Sequence, residues 1–255
     1  KAIDAGKHIL SQKPFVTDLD AGEALIERAE KKGVLIAVNH NGRWAPHFSY
    51  MRLAAKDGVL GDLSACHFSV SWNHNWIGGT PFENIRYLIL YDFGIHWFDI
   101  LSVLTEGVNP LRVYASVAFT KGQRVKPPFL SQALIQFEHL QASMNFQADT
   151  VFGCEDHTLL VGSKGTIKSE GPDLNEQRLI LTTEAGTSEP KLEGKWFPDG
   201  FHGTMGELLC SIEERREPLN SARSALRGLS LCFAALKSAE TGLPVKPGEV
   251  RKLIM

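Results

Sequence analysis

The sequence predicts an α/β + α+β architecture: the closing part of a parallel α/β domain, then an α+β domain with a large open antiparallel sheet flanked by helices. Three observations predict it. The unbroken apolar run 34–38, Val-Leu-Ile-Ala-Val, has the pattern of a strand buried on both faces, as in parallel sheets. The middle third alternates apolar and polar residues with period two, as at Ala133, Ile135 and Phe137, the mark of antiparallel strands with one packed face. The last third returns to helical stripes.

Taken in order, residues 1–7 resemble a helix end with Gly6 as its C-cap. A short strand over 8–11 is stopped by Lys13-Pro14. Thr17 is placed to cap a helix whose first turns carry Asp18, Asp20 and Glu23, where the helix dipole favours carboxylates. Leu25, Ile26 and Ala29 form its apolar stripe and Gly33 ends it. With the 34–38 strand this is one βαβ unit, the tail of an α/β domain. A helix over Pro46–Lys56 stops at Gly58, a strand covers 63–72, and a loop rich in Asn, Gly and aromatics covers 73–86. A helix follows over 92–104, then sheet strands near 133–137, 142–148, 157–161, 166–169 and 178–182. Two helices close the chain. Met205, Leu208, Leu209 and Ile212 fit the packed face of the first; Leu226, Leu229, Phe233 and Leu236 fit that of the second, which ends at Gly242 and Pro244.

The 255 residues are 43% hydrophobic and 22% charged, with a formal net charge of -2, so there is no electrostatic footprint for nucleic acid or an anionic membrane. Arg215-Arg216 lies among Glu213, Glu214 and Glu217, a solvated helix face. Cys66, Cys154, Cys210 and Cys232 form no C-x-x-C pair and are expected as buried reduced thiols in a cytoplasmic protein. The sequence shows no signal peptide and no apolar run of membrane-spanning length.

In an open parallel sheet, ligands sit outside the carboxyl ends of the strands. Lys13 lies just past the first strand, and Asn39, His40 and Arg43 just past the second, although Lys13 also fits a plain exposed loop lysine. The stretch 92–99 carries Asp92, Gly94, His96 and Asp99. On a helix, i and i+4 share a face, so Asp92 is expected to reach one nitrogen of His96 and free the other for acid–base work. The pair equally fits a structural hydrogen bond, and the D-x3-H-x2-D spacing fits a divalent metal, for which no further ligand is convincing. Asn75 and Trp76, in the 73–76 loop, have the polar–aromatic mix of a sugar-binding surface.

These pieces together resemble the glucose-fructose oxidoreductase/inositol dehydrogenase (Gfo/Idh/MocA) family. The likeness rests on A-x-x-A-G-K-H-[IV]-L-x-x-K-P over residues 2–14, on N-x-x-x-R-[FW]-x-P over 39–46, on D-x-G-x-H-x-x-D at Asp92, Gly94, His96 and Asp99, and on the closing segment 238–245. The resemblance implies that 1–44 is the C-terminal remnant of a Rossmann dinucleotide-binding domain and 45–255 a substrate-binding and oligomerisation domain. It implies NAD or NADP as cofactor and a sugar or polyol as substrate, with hydride transfer to or from a secondary alcohol. Lys13, Asp92 and His96 match the family's catalytic residues. Gln12, Lys13, Pro14, Asn39 and Arg43 match its cofactor side, and Asp99, His40, Asn75 and Trp76 are placed on the substrate side.

The resemblance further implies a homodimer or homotetramer through the sheet, with neither nucleic acid nor membrane as partner. Gln12 stands where the family has Glu, one negative charge fewer beside the cofactor. No G-x-G-x-x-G occurs, so the chain is expected to lack about 60–90 residues of βαβ units and to hold a dinucleotide poorly by itself. Two other activities fit the same residues: a non-enzymatic sugar-binding or self-associating short form, and an NAD-assisted glycosidase.

Overall fold

A computed structural model describes residues 1–253. Two parallel strands, β1 (Ile9–Ser11) and β2 (Ile36–Val38), flank helix α1 (Leu19–Lys31), with Ser11 opposite Val38. The cap of α1 is Asp18 rather than the expected Thr17, because the Asp18 carboxylate accepts the Ala21 N–H at 3.1 Å. Thr17 instead pairs with the chain's end, where its carbonyl accepts the Leu253 N–H at 3.0 Å. The far edge of β2 is met by residue 220: the Val38 N–H donates to Asn220 O at 2.8 Å, and Asn220 Nδ2 donates back to Val38 O at 2.9 Å. Ile3, Ile26, Ala29, Val34, Ile36 and Val38 share one small core with Ala222 and Ala225, so the first 44 residues close against the start of the last helix.

After helix α2 (Pro46–Lys56) the chain enters an eight-stranded sheet through β3 (Leu63–Ser71). Helix α3 (Ile95–Leu104) then precedes β4 (Arg112–Ala118), β5 (Leu130–Gln136), β6 (Gln141–Gln147), β7 (Glu155–Gly162), β8 (Gly165–Gly171), β9 (Arg178–Thr183) and β10 (Gly186–Ser188). Helices α4 (Asp199–Glu214) and α5 (Ala222–Thr241) complete the fold. The strand order is β10-β9-β8-β7-β3-β6-β5-β4. The sheet is mixed rather than wholly antiparallel, because β3 is inserted between β7 and β6 and runs parallel to β6. β4 and β10 have no counterpart among the expected strands.

One face of the sheet is covered by α3 and α5, where Trp97, Phe98, Phe129, Phe68 and Phe233 are all nearly inaccessible. Burying each such ring stabilises the fold by about 1.5–3 kcal/mol. On α4 the buried residues are Gly200, Thr204, Leu208 and Ser211, while Met205 and Leu209 are exposed. The expected apolar face is therefore turned by about one position. The cause is close packing: a Cβ on Gly203 would lie 2.3 Å from the Trp44 ring and one on Gly200 2.6 Å from Asn41 O, so small residues make the contact. All four cysteines are unbridged; Cys66 and Cys232 are buried as expected, but Cys154 is half-buried and Cys210 is exposed on α4. Among the described residues, no helix is long and apolar enough to cross a membrane.

Candidate active site

The parallel pairing of β1 and β2 brings residues 12–14 and 39–43 to one edge. The Asn39 N–H donates to Ser11 O at 2.8 Å, continuing the ladder past the strand end. Gln12 Oε1 accepts from Asn39 Nδ2 and from the Lys13 N–H, each at 3.1 Å, and Asn39 Oδ1 accepts from Thr204 Oγ1 at 3.0 Å. Asn39 is thus fully engaged as a tie between β1, β2 and α4. Gln12 is exposed, and Lys13 and Pro14, joined by a cis peptide, are half-buried at the lip.

Lys13 Nζ donates to Asp92 O at 2.7 Å and pairs with Asp92 Oδ1 at 3.0 Å, both side chains about one-sixth exposed. Asp92 does not stand one helical turn before His96 as expected. It lies in a wide π-helical turn, Ile89–Phe93, closed by a bond from the Gly94 N–H to Ile89 O at 2.8 Å, and α3 begins only at Ile95. The extra residue per turn swings the carboxylate away from His96 and onto Lys13. Gly94 is required there, since a Cβ would lie 2.5 Å from Leu90 O.

His96 is half-buried against Trp196, with ring centroids 5.7 Å apart, and against His40 at 6.3 Å. Its Nδ1 is buried and unpartnered among the described residues, so Nε2 is the nitrogen that reaches solvent. Burial first, then the charges of Lys13 and His40, hold its pKa well below the ordinary histidine range. At neutral pH it is an uncharged imidazole.

Three of the residues expected at the ligand lie in the interior. Arg43 and Asp99 are 3% and 1% exposed and close on each other: Nε meets Oδ2 at 2.7 Å and Nη2 meets Oδ1 at 2.5 Å. Arg43 Nη1 also donates to Leu219 O and, at 3.0 Å, to Ser224 Oγ. Each is engaged chiefly by the other, and charges that would otherwise be isolated are paired. His40 is likewise interior, 2% exposed, its Nε2 3.6 Å from Asp99 Oδ1 and its pKa pushed down to about 4 by burial. Because Asp92 and Asp99 face separate cations, the D-x3-H-x2-D spacing does not converge on a common centre.

The 73–76 loop contributes an aromatic wall. Trp76 is 55% exposed and lies 6.0 Å from the His74 ring, which packs at 4.5 Å on Phe93, the neighbour of Asp92. Asn75 instead points to the sheet's end, where Nδ2 donates to Asp149 Oδ1 at 2.7 Å. Sequence reasoning missed Trp196, whose Nε1 donates to Asn41 Oδ1 at 3.1 Å while its ring backs His96. A lone Trp directly after the mostly polar stretch 184–195, on the approach to α4, was the available signal. Two cavities, of about 620 and 600 Å3, lie beside α1 and α2 rather than here. The site is an open lip.

Two family models match: the GFO/IDH/MocA C-terminal domain over residues 48–168, and the oxidoreductase family with NAD-binding Rossmann fold over residues 1–40. The D-apiose dehydrogenase of Paraburkholderia graminis is 31% identical over 96% of this chain, the match spanning 68% of that enzyme. The inositol 2-dehydrogenase of Rhizobium meliloti is 24% identical over 92% of the chain and 72% of that enzyme. A scyllo-inositol 2-dehydrogenase (NADP(+)) of Bacillus subtilis is 34% identical over 38% of the chain, which is only 28% of its own length. A solved oxidoreductase of Agrobacterium radiobacter, in complex with NAD+, L-tartaric acid and magnesium, shares the fold at a TM-score of 0.84 and 19% identity, covering 97% of this chain and 75% of that one. With both family models matched and a 31% identical relative aligned over 96% of this chain and 68% of its own length, the chain belongs to the Gfo/Idh/MocA family of oxidoreductases.

Proposed function

We propose that the protein transfers a hydride between NAD or NADP and a secondary alcohol of a sugar or polyol. The observation that carries this reading is the Lys13–Asp92 pair at the carboxyl end of a parallel strand, beside the uncharged, solvent-reaching His96. Gln12, Lys13 and Pro14, at the open lip where β1 and β2 end, fit the nicotinamide end of such a cofactor; Asn39 braces that lip. The bound nicotinamide supplies the hydride acceptor or donor. Asp92 holds the Lys13 ammonium toward the site, where it stabilises negative charge on the reacting oxygen. His96 Nε2 starts unprotonated and takes the hydroxyl proton. Trp76, His74 and Phe93 give apolar sugar faces a flat wall.

The same reading places residues 1–44 in the cofactor domain and 45–255 in the substrate domain, and the protein in the cytoplasm, in keeping with its four unbridged thiols. It also includes self-association through the uncovered sheet face. There Tyr114, Leu134, Leu159 and Ile180 lie along one cross-strand row, with Tyr114 and Leu134 exposed. Variants H96A and K13M of the full-length protein test the chemistry. Each is expected to lower turnover by about a hundredfold or more, H96A with little loss of thermal stability. Wild-type turnover in both would sink the assignment.

A further inference from the structure

A side-chain amide can be turned end for end, and only its partners say which end is the oxygen. At the lip one partner has no choice. The Lys13 backbone N–H can only donate, and it meets Gln12 Oε1 at 3.1 Å. That sets the amide of Gln12 with its oxygen inward. Asn39 then has to present Nδ2 to the same oxygen, at 3.1 Å, and Oδ1 to the hydroxyl of Thr204, at 3.0 Å. Thr204 is wholly buried on α4, and its hydroxyl also reaches Phe201 O at 3.0 Å. What is left over is Gln12 Nε2. It carries two N–H donors, has no partner among the described residues, and belongs to an exposed side chain beside Lys13.

We propose that Gln12 is a specificity-determining residue: Asn39, backed by Thr204, holds its amide oxygen inward, so that the lip offers the cofactor an uncharged hydrogen-bond donor at Nε2. The identity of the ligand rests on the oxidoreductase reading; the orientation of the amide rests on the hydrogen bonds alone. The ligand atom that meets Nε2 has to be an acceptor, an oxygen such as a hydroxyl or a carbonyl. A carboxylate at position 12 would satisfy the same two inward donors, the Lys13 N–H and Asn39 Nδ2, and turn a negatively charged oxygen outward instead. The difference is one of charge. An oxidised nicotinamide ring is a cation and the reduced ring is neutral, so a carboxylate at the lip would favour the oxidised form, whereas the amide favours neither by its charge. Lys13 would not cancel that charge, because its ammonium is already paired with Asp92 at 3.0 Å. Asn39 is a positioning residue and acts only through Gln12.

Two measurements on the full-length protein test this, the first without cofactor. The protein is labelled with 15N-glutamine, the Gln12 side-chain signal is identified by its loss in Q12E, and exchange of its NH2 protons with water is followed in wild type and N39D. In the wild type these protons are expected to exchange within about threefold of a free glutamine amide, since they are outward and unbonded. N39D supplies acceptors alone, so it is expected to turn the Gln12 amide over and slow its exchange about tenfold or more. The second measurement is the Kd of the oxidised and of the reduced dinucleotide, by calorimetry, in wild type and Q12E. Q12E is expected to shift the ratio of the two constants toward the oxidised form by about tenfold at neutral pH. Gln12 protons protected from exchange in the wild type, exchange indifferent to N39D, or a Kd ratio unchanged in Q12E overturns the proposal. Should N39D fail to fold, the wild-type exchange rate and Q12E, at an exposed position, still decide it. A protein that binds neither form of the dinucleotide counts against the oxidoreductase reading, and the exchange rates still decide how the amide is held.

Discussion

Replacing Arg43 by Met removes one half of the buried pair at the centre of the structure while keeping most of the side chain's apolar stem. Asp99, 1% exposed, is left with neither of its two guanidinium hydrogen bonds, and Leu219 O and Ser224 lose a donor. An uncompensated buried charge of this kind costs about 3–5 kcal/mol, against at most about 1 kcal/mol for an exposed pair. In a domain of this size each kcal/mol lowers Tm by about 2–4 °C, so R43M is expected to melt about 6–20 °C below wild type. The assay is a thermal and urea unfolding series on wild type, R43M, D99N and R43M/D99N. The two residues share hydrogen bonds, so the double variant should be more stable than the sum of the singles predicts, by about 2 kcal/mol. An R43M cost below about 1 kcal/mol, or a cycle that adds up with no coupling, would refute the buried pair.

Gly228 on α5 lies against α3, where a Cβ would come 2.7 Å from Asp99 Cα and 3.0 Å from Asp99 N. In an open helix Gly→Ala gains up to about 1 kcal/mol, but overpacking costs about 1–3 kcal/mol, so G228A should be destabilised in urea melts; a stabilised variant would show that the helices sit further apart. Asp156 on β7 is fully buried with both carboxyl oxygens unpartnered among the described residues, and burial, then Asp173, pushes its pKa up to about 8 from 3.8. Between those values the folded state binds more protons than the unfolded one, so stability falls as pH rises from about 4 to about 8. D156N should flatten that slope in pH-dependent melts, and an unchanged slope would place the cause elsewhere.

The elements that depend on local pattern were readable before the structure. Pro46 at a first turn and Gly58 after the last bound α2 correctly, and the alternation through Ala142, Met144 and Phe146 marks β6. What escaped depends on distance or on small residues. β4 buries Val113 and Ala115 and carries Arg112 and Tyr114 outward, too weak an apolar signal to stand out. The parallel β3–β6 pairing joins residues about eighty positions apart and leaves no local trace. On α4, glycines and Thr204 pack because they let Trp44 and Asn41 approach, which a hydrophobic count cannot see. At the site, the residue types at the strand ends and on 92–99 were evident, but not their pairing. A π-turn of one extra residue redirects Asp92 to Lys13, and Arg43 meets Asp99 across 56 positions.

Hydride transfer by this protein can be followed with an isotope. Full-length protein would be incubated with NAD+ or NADP+ and a panel of sugars and polyols deuterated at their secondary carbinol carbons, and the reduced cofactor examined for label. Deuterium is expected at C4 of the nicotinamide for at least one substrate, with the rate collapsing in H96A. Folded protein that forms no labelled cofactor with any substrate of the panel would contradict it.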